Sequence, residues 1–324
     1  MRLRDQNESE AKMTHVDAAA APDPLCVSFT DRADSPLLTT FYEGYDQAFV
    51  LPDEKEPIEG FRRCLELNHA PDYGPLAARY GAYREIVFTA AERETDAPIG
   101  GGNFVVFSHA SPSQTSAPPY RTIHLSYVYV RPEQRGRGYL DRLIGVIDGL
   151  ATEALPLTAG VPSFIFIEQN DPLKMSAAAY AKDTAQTGLD QVERIGLWAR
   201  RGARVLDLDY VQPPLSPQHA ADSTLALCVL RPDLETIDTC IVCRHLQAFF
   251  AISVLKGDDP GRHAVARDQI AALDQLCKAR ARLRLLDPTS WAAGAGRRLR
   301  ENAARSPIAG GLRTVLSGNA ASAG

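Results

Sequence analysis

Residues 122–154 read TIHLSYVYVRPEQRGRGYLDRLIGVIDGLATEA. Residues 122–130 have the alternation of a strand, and 131–138 hold Pro132, Gly136 and Gly138 and form a turn. From there to about Ala154, just ahead of Pro156, Leu140, Leu143, Ile144, Ile147 and Leu150 make one helical stripe. Glycine in a strand-to-helix turn lets backbone N–H groups face an oxyanion without a side chain in the way, and the helix behind adds its positive end. Arg135 and Arg137 supply charge beside the two glycines, so the turn is an anion cradle. It lacks the lysine of a P-loop and the third glycine of a dinucleotide fingerprint, so neither an NTPase nor a Rossmann dehydrogenase fits. The apolar phase also slips along the strand, from Ile123 and Leu125 to Val128 and Val130, which predicts a bulge near Ser126 and Tyr127.

Working outward, 25–29 reads as a strand, and Ser35 as the start of a helix carrying Leu37, Leu38, Phe41, Tyr42 and Tyr45. A second helix covers 58–67, with Phe61, Cys64 and Leu65 inward. Strands at 85–91 and 102–108 form a hairpin, followed by a Ser- and Pro-rich loop at 109–120. The nearly continuous apolar run at 163–168 suits a strand buried on both faces. Helices at about 172–187 and at 189–201, stopped by Gly202, precede strands at 203–210 and 224–230. Two helices, 237–255 and 262–286, complete the pattern. The expected organisation is a disordered arm at 1–24, a domain at 25–232, a helical extension at 233–286 and a disordered basic tail at 287–324.

The stretch from Val128 to Leu140, VYVRPEQRGRGYL, resembles the acyl-CoA motif of the GNAT superfamily of N-acetyltransferases. The resemblance implies an α/β fold, a mixed and largely antiparallel sheet splayed at a bulged central strand, here with a helical C-terminal extension. It also implies that Arg135, Gly136, Arg137, Gly138 and Tyr139 bind a pyrophosphate, with the backbone of Val128 and Val130 beside the pantetheine arm. Acetyl-CoA is then the acyl donor, an unidentified amine the acceptor, and transfer direct, without an acyl-enzyme. The strand at 163–168 would be the parallel partner of the bulged one. A second resemblance, LWARRGAR at 197–204, sets Trp198 where the family often has a tyrosine that protonates the departing thiolate. An indole N–H is only a donor, so a replacement such as Tyr180 or water is needed, or the chain is a non-catalytic acyl-CoA-binding or sensing module.

An amine must lose a proton to attack a thioester, and Glu168, ending the strand that would face the bulge, is the candidate base. Asn170 and Asp171 follow it. His124 on the central strand reads as a satisfied core or surface histidine, and Tyr42 and Tyr45 as packing residues. Cys240 and Cys243, three apart on an expected helix, have no second pair at finger spacing, so no metal is expected.

Composition bounds the rest. At 324 residues with 45% hydrophobic and 23% charged, the chain can bury a full core. A net charge of −5 gives no reason to expect a nucleic-acid partner, although nine basic residues follow from Lys278 onward against Asp287 and Glu301. Six scattered cysteines are no disulfide framework, and there is neither a signal-length apolar run nor a membrane-spanning one. The expectation is a soluble cytoplasmic protein of open oligomeric state.

Overall fold

The computed structural model describes residues 25–50, 55–109, 119–157, 161–215, 220–294, 296, 299 and 306–318. The expected arm at 1–24 and most of the loop at 109–120 lie outside them. Among the described residues nine strands form one sheet: β1 (Leu25–Thr30), β2 (Ala82–Glu92), β3 (Pro98–His109), β4 (Tyr120–Val130), β5 (Ser163–Asn170), β6 (Ala203–Leu206), β7 (Leu225–Leu230), β8 (Thr236–Asp238) and β9 (Arg282–Leu286). Their order across the sheet is β1-β2-β3-β4-β5-β7-β6-β9-β8. Only β4 and β5 run parallel; every other neighbour is antiparallel. The connection between those two strands is α4 (Tyr139–Ala154), the crossover that a parallel pair requires.

Alternation along the strands sends side chains to two helical layers. On one face Phe104, Val106, Ile123 and Leu125 pack with Leu143 and Ile147 of α4 and with Trp198 of α6 (Gln191–Ala199). On the other, Val105, Phe107, Phe164 and Phe166 pack beneath α7 (Thr239–Phe249), which runs into a π-helical turn at Phe250–Val254. Towards β1 this second face is covered by α1 (Leu37–Ala48) and α2 (Ile58–Glu66), whose Phe41, Tyr45, Phe61 and Leu65 surround Tyr129. Tyr129 lies so close over α1 that a Cβ at Gly44 would sit 2.1 Å from its hydroxyl oxygen.

The predicted bulge is present: Tyr127 pairs with Asn103 and Leu125 with Phe104, leaving Ser126 as the extra residue in β4. That insertion is why Ile123, Leu125, Val128 and Val130 all pack on the α4 side although their spacing breaks period two. A short helix, α3 (Tyr73–Tyr80), escaped the sequence reading, as does the brevity of β6.

The helical extension needs correction. Of the stretch read as one helix at 262–286, α8 (Ala264–Lys278) is helical, Arg280 turns the chain at φ 53°, and β9 joins the sheet against β6. The extension is therefore sewn into the sheet by a strand, and α7 and its π-helical turn belong to the main core. Disorder from 287 onward also fails for the described residues. There α9 (Thr289–Ala293) packs Trp291 and Ala292 with Val192 and Ile195 of α6, and α10 (Gly311–Leu316) buries Leu312 with Leu173. Asp171 holds that returning segment, its Oδ2 accepting from the Leu312 N–H at 2.8 Å. Cys240 is bonded to Cys277, joining α7 to α8, while Cys243 is a buried free thiol. Among the described residues no helix is long and apolar enough to cross a membrane.

Candidate active site

Register pairing of β4 with β5 runs from Arg121–Ser163 to Leu125–Ile167 and stops there. Beyond that point β5 stays paired with β7, through Glu168, Gln169 and Asn170, while β4 stays paired with β3. The two parallel strands therefore part at the bulge, and the edge of β4 past Leu125 faces a cleft. A cavity of about 1030 Å³ fills it, walled by residues 125–130, by Glu168 and Asn170, and by the turn that leads into α4.

At the turn, Pro132–Gln134 makes a single 3-10 turn, and Gly136 and Gly138 follow at φ 76° and 77°. Gly138 caps α4, and a Cβ built on either glycine would meet nothing within 4 Å, so both positions border open space. Left-handed φ is what glycine supplies here, and the open N-terminus of a sixteen-residue helix is what an anion needs. Val128, Val130, Arg135, Gly136, Gly138 and Tyr139 all line the cavity. Arg137 is not in its wall; it is exposed and its guanidinium donates to Gln134 Oε1 at 3.1 Å. From the far side α6 adds Leu197 and Trp198 and the turn after it Arg200 and Arg201, with Arg201 tied to Asp141 in the first turn of α4 at 2.6 Å.

Across the bulge the wall is made of side chains from distant segments. Tyr127 is in ring contact with Phe49 and Phe61, at 5.2 and 5.6 Å between centroids. Phe249 lies on the ring of His124. Between them Glu168, on β5, accepts hydrogen bonds from the Tyr210 hydroxyl and from Gln212 Nε2, the latter at 2.9 and 3.1 Å. Its Oε2 is also 3.4 Å from His124 Nε2, an approach that falls short of hydrogen-bond geometry.

His124 is better embedded than a lone core histidine. Its Nδ1 is 3.1 Å from Nε2 of His245 on α7, and both rings are fully buried. Burial first, then His124 and His109, keep His245 well below the ordinary imidazole range. His245 Nδ1 has no partner, and a bare lone pair is cheaper to bury than a bare N–H. The network therefore assigns the His245 proton to Nε2, donating to His124 Nδ1, and the His124 proton to Nε2, facing Glu168. This pair is a dead-end prop behind the carboxylate. Spacing could not reveal it, because His124 and His245 are 121 residues apart.

Tyr180, the candidate replacement for the missing tyrosine, is excluded from that role. Its hydroxyl donates to Asp190 Oδ2 at 2.5 Å, and its ring packs with Leu173 and Trp291 outside the cleft. Closer at hand is Ser126, whose Oγ at the bulge is buried without a hydrogen-bond partner in the described structure. Tyr42 and Tyr45 serve as packing residues around Phe61. Asp171 is a structural carboxyl whose pKa burial raises. No group of three or more His, Cys, Asp or Glu side chains among the described residues could hold a metal ion.

No protein-family model and no curated protein sequence matches the chain. Solved structures similar to it include an aminoglycoside 6'-N-acetyltransferase complexed with coenzyme A, at 12% identity over 63% of this chain and 94% of that one, with a TM-score of 0.32. Another is a histone acetyltransferase HPA2 and related acetyltransferase from Corynebacterium glutamicum, at 15% identity over 66% and 100% of the two chains, TM-score 0.30. A third is Arabidopsis thaliana NAA60 in complex with a bisubstrate analogue, at 14% identity over 63% and 98%, TM-score 0.32. Likenesses at that level carry no functional weight.

Proposed function

We propose that the protein is an acyl-CoA-dependent N-acyltransferase of the GNAT type, moving an acetyl or other short acyl group to an amine. The observation that carries the proposal is the parting of β4 from β5 at a bulge, immediately before a two-glycine turn that caps α4. The turn N–H groups, the α4 N-terminus and Arg135 hold the pyrophosphate. The pantetheine arm runs along the free edge of β4 at 128–130, pairing with backbone that no strand covers. This brings the thioester carbonyl to the bulge, where a backbone donor supports the developing oxyanion.

Glu168 then takes a proton from the bound ammonium, the neutral nitrogen forms its bond to the acyl carbon, and the carbon–sulfur bond breaks to release CoA thiolate while the second nitrogen proton passes to solvent. The proton held by Glu168 returns through solvent to the thiolate. Tyr210 and Gln212 fix the carboxylate for this exchange through their hydrogen bonds, with His124 packed behind it. The direct test is release of free CoA thiol from acetyl-CoA that depends on an added amine. A ping-pong pattern in two-substrate kinetics overturns direct attack.

A binding-only reading rests on Trp198, which lines the cavity with a side chain that cannot protonate a thiolate. It predicts saturable acetyl-CoA binding with neither hydrolysis nor transfer to any amine.

A further inference from the structure

The acceptor half of the cleft can be read for what it would bind, on the premise that the donor half takes acyl-CoA. Its walls next to the bulge are rings and aliphatic groups: Phe49, Phe61, Tyr127, Phe249, Leu215 and Val254. Ring contacts tie Phe49 and Phe61 to Tyr127, and Phe249 to His124, so this apolar surface begins where the thioester would lie.

The charges of this half are almost all committed. Three carboxylates line the cavity among the described residues: Glu56, Glu168 and Asp222. Glu56 is paired with Lys256 at 3.2 Å. Asp222 Oδ1 is turned onto its own chain, accepting from the Thr224 N–H and Oγ1, each at 2.7 Å. Glu168 alone has neither a lysine or arginine partner nor a local capping duty, and its hydrogen-bond donors, Tyr210 and Gln212, are uncharged. On the positive side, Lys256 also donates to the Leu215 carbonyl at 3.2 Å, and Arg194 is 3.5 Å from Asp183. Glu85, just behind the wall, is closed off by Asn103 and Ser253, which donate to it at 2.6 and 2.8 Å.

We propose that the acceptor is a primary amine with one positive charge on a flat apolar body, its nitrogen at Glu168 and its body against Phe49, Phe61 and Tyr127. A polyamine or an aminoglycoside would need several uncommitted carboxylates, since each further ammonium moved from water into this pocket without a partner is costly. An amino acid or other carboxylate-bearing amine would need an uncommitted cation beside Glu168, where Lys256 and Arg194 are both engaged; Arg200 lines the far wall, with Trp198 and Arg201. An apolar ring instead exchanges water for ring contacts and leaves a single charge to be matched.

The experiment is acetyl transfer from acetyl-CoA to 2-phenylethylamine, spermidine and glutamate, read as free CoA thiol with the full chain. Calorimetry of acetyl-CoA binding is run in parallel. The expected result is a kcat/KM for 2-phenylethylamine at least about tenfold above either competitor, in line with what apolar pocket contacts discriminate. Phe49→Ser, at a half-buried site at the end of α1, should raise the KM for 2-phenylethylamine about tenfold with little change in kcat or in acetyl-CoA affinity. Preference for spermidine or glutamate overturns the inference. Acetyl-CoA binding with transfer to none of the three also overturns it, while leaving the donor site standing. A folded protein that does not bind acetyl-CoA brings down both readings.

Discussion

The turn at 131–138 and the pocket around Glu168 share one cleft but are assembled on different plans. The turn is one continuous stretch of chain, largely exposed, and its proposed chemistry belongs to backbone N–H groups freed by two left-handed glycines. The pocket is drawn from α1, α2, β4, β5, the segment at 210–215 and the π-helical turn behind α7, and its chemistry belongs to buried side chains. A backbone site tolerates changes in most of its side chains and fails when the main chain is altered. A side-chain site fails with one atom.

The largest expected break falls on the pocket. Glu168→Gln keeps the shape and one acceptor oxygen for Tyr210 and Gln212 but removes the base, so kcat should fall about 10²- to 10⁴-fold. Calorimetric affinity for acetyl-CoA should stay within a factor of about two if the two plans are as independent as they look. A parallel loss of affinity would mean that Glu168 shapes the donor site.

Next comes the pH response of the buried layer. His109, 5% exposed with Nε2 2.9 Å from Thr122 Oγ1, has a pKa lowered to about 4, by burial first and then by Arg244. The unfolded chain takes up this proton near 6.5 and the folded chain only near 4, so stability is lost as pH falls through that window. The loss amounts to roughly 3 kcal/mol at the acid end. Urea denaturation at pH 7 and pH 4.5 should show it, and His109→Gln should reduce the difference, leaving the part that belongs to His245, which burial also holds well below the ordinary imidazole range. The same measurement on a turn variant should keep it.

Smaller still is Ser126→Ala. Deleting a buried hydroxyl without a partner should leave the free protein as stable or up to about 1 kcal/mol more stable. If that hydroxyl finds its partner in the bound thioester, kcat/KM falls severalfold at the same time. Unchanged kinetics would assign Ser126 to the bulge alone. Smallest is Asp141→Asn, which cuts the largely exposed link from Arg201 to α4 and should cost under about 1 kcal/mol in thermal denaturation.

The contrast also explains what the sequence could reveal. The turn, the slip at Ser126 and the stripe on α4 are local patterns, so reading 33 residues predicted a bulge and a cradle that the register and the positive φ angles reproduce. Glu168 could be singled out as a candidate because it closes the apolar run at 163–168, although β5 continues to Asn170. Its supports were not, since Tyr210 and Gln212 reach it across more than forty residues and His245 approaches His124 across 121. The strand β9 was hidden for another reason: Arg282-Leu283-Arg284-Leu285 alternates with period two but follows a strong helix former, and pairing with β6 and β8 decides the outcome. The tail beyond Trp291 reads as biased to Ala, Gly and Arg, and its segment at 306–318 is ordered because the buried Asp171 carboxyl and the cluster around Leu312 receive it.

The central claim is that the backbone turn before α4 is an acyl-CoA pyrophosphate site. Calorimetric titration of acetyl-CoA and of CoA into the wild type and into a Gly136→Asp/Gly138→Asp variant tests it most directly, with circular dichroism to show that the variant is folded. Saturable binding to the wild type that disappears in the folded variant is the predicted result, since both carboxylates would repel the pyrophosphate and strain two left-handed positions. Absence of binding to the folded wild type, or equal binding to both proteins, would contradict it.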